Sequence, residues 1–209
     1  MRQIIIVQHC ESEQHVNGMV GSWRDWPLTE RGHKQADAIG AWLLKKLGPI
    51  EPGFTITSSD LQRTAQTAQH LGEHLRITPV YDSALREQYF GEAIGHSMQW
   101  YYENMLPEDS VSNPADYRLF PSAESKRELY ARAEEFWARY LPNAPERSIV
   151  VCHGGMTGAL IFAFLQLGAD HMGHAAIEGD AGGVSILHDR GAKRSVFAFG
   201  DLTACSQIP

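Results

Sequence analysis

Four side chains suited to group transfer stand just beyond runs that read as buried strands. His9 follows Gln3-Ile4-Ile5-Ile6-Val7-Gln8, and His153 follows Ser148-Ile149-Val150-Val151-Cys152. Arg63 lies a few residues past Phe54-Thr55-Ile56-Thr57, and Glu87 a few past Thr78-Pro79-Val80-Tyr81. An imidazole can attack or relay a proton, a guanidinium holds an anion, and a carboxyl group exchanges protons. In an open α/β sheet, ligands bind beyond the carboxyl ends of the strands, so all four point toward one place. Singly, each has a plainer reading. A lone histidine is commonly a satisfied core or surface group, Arg63 a solvated helix-start arginine, and Glu87 a surface partner of Arg86 or Arg63. Only their joint placement speaks for chemistry.

The elements that must hold them alternate between β-branched runs and helical periodicity, which marks an α/β domain. Residues 29–47 read as a helix capped by Thr29, with Ala36, Ile39, Leu43 and Leu47 along one face. A second helix opens near Asp60 with Leu61, Ala65, Ala68, Leu71 and Leu75 inward. Pro79 puts the strand 78–81 at or near a sheet edge. Residues 96–120 carry aromatics, prolines and acids without clear period. They read as an insertion partly covering a pocket, with a short helix around Met98–Met105 and with Trp100, Tyr101, Tyr102 and Met105 as an apolar wall. A long helix begins near Glu124, with Leu129, Ala133, Phe136, Trp137 and Tyr140 buried. Val184–His188 and Ser195–Phe199 close the sheet as a hairpin across Asp189-Arg190-Gly191. The expected architecture is a three-layer α/β/α sandwich around a mostly parallel central sheet, one domain over 1–209.

The chain has 209 residues, 43% hydrophobic and 21% charged, which suits one globular domain with a substantial core. Its net charge of -7 argues against a nucleic-acid surface, although a local cation cluster can still take an anionic substrate. The longest apolar run, residues 159–165, has core-helix length and does not span a bilayer. The first seven residues read as a strand and not as a signal peptide. Cys10, Cys152 and Cys205 make an odd, irregularly spaced set, expected in a reducing cytoplasm.

In order along the chain stand Val7-Gln8-His9-Cys10-Glu11-Ser12, Asn17, Asp25-Trp26-Pro27-Leu28-Thr29-Glu30-Arg31-Gly32, and Ser58-Ser59-Asp60-Leu61-Gln62-Arg63-Thr64-Ala65. They are followed by Leu85-Arg86-Glu87, Pro121-Ser122-Ala123-Glu124-Ser125, and Val150-Val151-Cys152-His153-Gly154-Gly155. Together these resemble the histidine phosphatase (phosphoglycerate mutase-like) superfamily over nearly the whole chain. The resemblance implies a phosphohistidine on His9, with Arg63 and His153 holding phosphoryl oxygens and Glu87 as general acid and base. It also implies that Gln8, Asn17, Arg63, Gly154 and Arg86 line the substrate site, that no metal or other cofactor is required, and that the partner is a small phosphorylated substrate or phosphate. The helix start at Arg63 is expected to add its N–H groups to the anion's environment. No obvious counterpart of the longer mutase insertion is present, which favours a phosphatase over a mutase. A homodimer is common among similar proteins.

The match departs from its pattern at one telling place. Where the superfamily has Arg-His-Gly, this chain has Gln8-His9-Cys10. Glutamine lacks the bidentate, charge-assisted grip of arginine. Three outcomes are open. Arg24, Arg86, His15 or His96 replaces the cation, the substrate demands less charge, or the domain binds phospho-ligands with feeble turnover. A zinc site using Cys10 and Cys152 is disfavoured, because strand neighbours point to opposite faces; buried free thiols are the plain reading.

Overall fold

The computed structural model describes residues 1–108 and 111–208, so two positions of the 96–120 insertion and the last residue lie outside the described set. Six strands form one sheet, β1 (Arg2–Gln8), β2 (Thr55–Ser58), β3 (Val80–Tyr81), β4 (Arg147–Cys152), β5 (Val184–Asp189) and β6 (Arg194–Asp201). Their spatial order is β3-β2-β4-β1-β5-β6. β3, β2, β4 and β1 run parallel, while β5 and β6 join antiparallel. The proline-containing segment supplies the edge strand β3, as expected of a residue with no N–H for the ladder.

Strand periodicity divides the core into two layers. Ile5, Val7, Ile56, Ile149 and Val151 face α1 (Glu30–Leu47) and α2 (Gln62–Leu75). Ile4, Ile6, Val150 and Cys152 face α4 (Lys126–Tyr140) and α5 (Gly154–Phe164). The arrangement is a three-layer α/β/α sandwich. Thr29 caps α1 by accepting from the Gly32 N–H at 3.0 Å, and Ser125 caps α4 in a reciprocal box with Glu128.

On α2 the buried face is wider than its apolar residues suggest. Arg63, Thr64 and Thr67 are buried, whereas Ala65 is only half-buried. The first turn of α2 is therefore turned into the molecule by polar contacts, which hydrophobic periodicity does not register.

The insertion forms α3 (Met98–Asn104) and packs a small satellite core. Val20, Ala93, Phe120 and Ala123 are its buried members, with Trp100 and Tyr101 against them. Backbone bonds from Val20 N to the His96 carbonyl and from Met98 N to the Gly18 carbonyl stitch it to the loop after β1. Tyr102 and Met105 are exposed, so the expected aromatic wall is divided between this satellite core and the surface.

Candidate active site

The site begins with strand register. Gln8 on β1 pairs with Cys152 on β4, so the next residues, His9 and His153, leave the sheet side by side. Their rings meet edge to face with centroids 5.2 Å apart. Ser58 on β2 pairs with Val151, which places Ser59 beside the pair; its Oγ lies 2.9 Å from His153 Nε2. Both histidines are almost wholly buried, at 2% and 0% exposure. Burial and the Arg63 charge hold each imidazole well below its usual pKa, so both are neutral near pH 7.

The tautomer of His9 follows from its neighbours. The Cys10 carbonyl can only accept, so His9 Nδ1 carries the proton and donates to it at 2.8 Å. His9 Nε2 is then a bare lone pair, and it accepts from Arg63 Nε at 3.2 Å. His153 Nδ1 is buried and has no partner. If the Ser59 hydroxyl donates to Nε2, that Nδ1 bears a proton ready for an acceptor that enters the site.

Arg63 is fully buried, an uncommon state for a guanidinium. Besides His9, it donates to the carbonyls of Ser22 at 2.7 Å and Arg24 at 3.0 Å. Desolvation pulls its pKa down to about 10, against the opposing pull of Glu87 and Asp25, so it stays charged. Ser22 presents its carbonyl from a left-handed backbone, φ 48°, held by a hydroxyl that donates to the Gln88 carbonyl and accepts from Phe90 N. A non-glycine residue strained in this way at the edge of a site is a local cost that the surrounding bonds sustain.

Glu87 sits at the start of α5. Its Oε2 accepts from Gly155 N, and its Oε1 from Met156 N and Gln88 N, at 2.8 to 3.1 Å. Arg132 fixes the backbone behind it, donating to the carbonyls of Ala84, Arg86 and Glu87 while gripping Glu124 with two nitrogens. Trp23 Nε1 adds a bond to the Glu87 carbonyl at 2.7 Å. Sequence reading missed Arg132 and Trp23. Glu124, within Pro121–Ser125, was the available signal, since a nearly buried carboxylate needs a cation.

His9, His153, Arg63 and Glu87 thus converge as expected, but other expected members do not join them. Arg86 forms a bidentate pair with Asp60 at 2.6 and 2.7 Å and lies over the Trp23 ring. Asn17 is exposed, and its Oδ1 accepts from Met19 N, so it serves the turn. The residue of that loop beside His9 is His15, stacked on its ring with centroids 5.5 Å apart and planes 18° from parallel. Gln8 is 9% exposed and packs between Gly154 and Gly179; Cβ atoms there would stand 3.3 and 3.4 Å from its amide. The start of α2 does not offer its first N–H to an anion, because Gln62 N donates to Asp25 Oδ1 at 2.6 Å. Cys10 and Cys152 lie in opposite core layers, and no three His, Cys, Asp or Glu side chains among the described residues converge as a metal site.

Two cavities flank this group. One of ≈ 450 Å³ is lined by Gly154, Gly155, Lys126, Ile177, Glu178 and Asp180, among others. The other, of ≈ 520 Å³, opens on Gln8, His15, Glu11 and Arg31. Residues 4–201 match the histidine phosphatase superfamily (branch 1). The chain belongs to that superfamily. A putative phosphoserine phosphatase 2 from Hydrogenobacter thermophilus is 27% identical over 100% of both chains. A 2,3-bisphosphoglycerate-dependent phosphoglycerate mutase from Bartonella bacilliformis is 26% identical, over 94% of this chain and 96% of its own. The crystal structure of phosphoserine phosphatase from Entamoeba histolytica, in complex with 3-phosphoglyceric acid, superposes with a TM-score of 0.81. It covers 98% of this chain and 100% of that one at 19% identity, a likeness of fold. No described helix of this histidine phosphatase superfamily member is long and apolar enough to cross a membrane.

Proposed function

We propose that the chain is a phosphoric monoester hydrolase that takes the phosphoryl group of a small metabolite onto His9. The observation that carries this reading is the bare His9 Nε2, fixed by the Cys10 carbonyl on one side and facing Arg63 on the other. In the first half-reaction Nε2 attacks phosphorus, and the bond to the leaving oxygen breaks as Glu87 supplies it with a proton. Arg63 and the partnerless His153 Nδ1 stabilise the charge on the phosphoryl oxygens. In the second half, water attacks the phosphohistidine while Glu87 takes its proton, releasing phosphate and restoring both residues.

The leaving group has room beside Glu87, in the cavity where Gly155 both lines the wall and donates to the carboxylate. Its half-buried lysine, Lys126, bonds to the neutral Gln88 Oε1 at 2.9 Å and so keeps its charge for a ligand. The three free thiols suit a reducing cytoplasm. Rapid quenching after mixing with p-nitrophenyl phosphate tests the reading. Acid-labile phosphate should appear on the wild type and not on His9→Ala; turnover without it would refute the covalent route. Gln8 favours a second reading, a phospho-ligand binder with feeble turnover. Tight phosphate binding with neither phosphoenzyme nor release would establish it. Product analysis with a phosphorylated diol separates hydrolysis from mutase transfer to a second hydroxyl.

A further inference from the structure

We infer that His15 supplies, through its Nε2–H, the phosphate contact that Gln8 cannot make as a cation. The inference rests on the His9 reading above and adds a substrate-binding residue to it. Four side chains are candidates for the missing cation, and the structure disposes of three. Arg86 is committed to Asp60. Arg24 lies over the Trp26 ring and contributes its carbonyl to Arg63. His96 stacks on Trp100 in the insertion, with centroids 4.0 Å apart.

His15 alone of the four has its ring against the nucleophile's ring. Its Nδ1 accepts from the Ser12 N–H at 2.9 Å, so the neutral ring carries its proton on Nε2. It lines the same cavity as Gln8. The ring is set by the backbone that follows His9. An N–H so placed donates to a phosphoryl oxygen from the neutral ring, the state in which Nδ1 can accept from Ser12.

The fields on this ring come from several elements. Partial desolvation and then Arg63 on α2 lower its pKa, Glu11 raises it, and Arg31 on α1 lines the same cavity but is paired to Glu11 at 2.8 Å. Asp180 lines it from the loop before β5. The need is local. The N-terminus of α5 is occupied by Glu87 and that of α2 by Asp25, so side chains must provide the positive potential that an arginine at position 8 would have given.

Kinetics with p-nitrophenyl phosphate and inhibition by orthovanadate test this in wild type, His15→Ala, His15→Asn, Gln8→Arg and the Gln8→Arg/His15→Ala pair. His15→Ala should lower kcat/KM and weaken orthovanadate inhibition roughly ten- to hundredfold, the range for one hydrogen bond to a charged group. His15→Asn, a neutral donor, should fall between. Gln8→Arg should restore more activity to His15→Ala than it adds to wild type, a coupling expected of two groups that serve one anion. A readout independent of turnover is the His15 ring signal in NMR, whose Nε2 shift should move when inorganic phosphate is added at a pH where the ring is neutral. Unchanged kinetics in His15→Ala, or a ring signal indifferent to phosphate, would overturn the inference while leaving the His9 phosphoenzyme standing. Absence of the phosphoenzyme in wild type would strike the underlying reading instead, even with the phosphate-dependent shift intact.

Discussion

Arg63 Nε stands 3.2 Å from His9 Nε2, and the rest of its guanidinium is held from behind by two backbone carbonyls. The cation is therefore aimed, with no freedom to swing. Lysine at this position keeps the charge but cannot meet three acceptors in one plane. Arg63→Lys should lower kcat with p-nitrophenyl phosphate by about 10²–10³, by analogy with loss of a transition-state donor. It should also cost about 1–3 kcal/mol in urea unfolding, for carbonyls left unpaired.

Acid should loosen the fold before it protonates surface carboxylates. His9 and His153 have folded pKa values well below 6.5, so the unfolded chain binds more protons once pH drops toward that value. Their contribution to stability is complete above pH 6.5 and is lost as pH falls from there toward the folded values. Urea midpoints measured from about pH 7.5 down to about pH 5.5 should decline, and His153→Asn should flatten the decline.

Gly155 has no room for a methyl group. A Cβ there would stand 2.5 Å from Glu87 Oε1, so Gly155→Ala must displace the carboxylate. The loss should depend on the leaving group. Hydrolysis of an alkyl phosphate, whose alkoxide needs a proton, should fall far more than that of p-nitrophenyl phosphate. Equal losses on both would show that Glu87 does not act as the acid.

Arg132 touches Glu87 only at its backbone carbonyl, and its charge is one of those that lower the His153 pKa, so its removal should change both geometry and field at the site. Arg132→Met should lower kcat about tenfold or more with KM little changed, and should shift the acid limb of the pH profile. Arg132→Lys should recover part of the rate by keeping one carbonyl contact.

The cysteines should be inert in the folded protein. Burial pushes the Cys152 thiol up to about 12 and Cys10 higher still, so neither offers thiolate near neutrality. An aromatic disulfide reagent should titrate these thiols only as the chain unfolds, which a stopped-flow trace in rising urea would record.

The strand ends at His9 and His153 were legible because β-branched runs followed by a single polar reactive residue leave few alternatives. The helix at 30–47 was legible from its Thr29 cap and its period, and the short helix at 98–104 was expected at that place in a stretch with no clear period. The burial of Arg63 was not, because a guanidinium goes inside only when backbone carbonyls arrive from a distant loop, and nothing local in Gln62-Arg63-Thr64 announces them. His15 was offered only as one cation among four. One residue separates it from Asn17, and which of them faces His9 depends on a short 3₁₀ turn whose phase the sequence leaves open. The insertion's aromatics read as a pocket wall because large rings suit both a ligand surface and a small core. Their partners, Val20 and Phe120, are far apart in the chain.

Both helix ends that border the site are stoppered by the protein's own carboxylates, Asp25 on α2 and Glu87 on α5. In many phosphate-handling folds such ends clasp the anion, and they do so as strongly after reaction as before it. Here the Gln62 N–H of one and the Gly155 and Met156 N–H groups of the other are already taken. On the proposed reading, inorganic phosphate would meet mainly imidazole and guanidinium donors, so inhibition by this product should be weak.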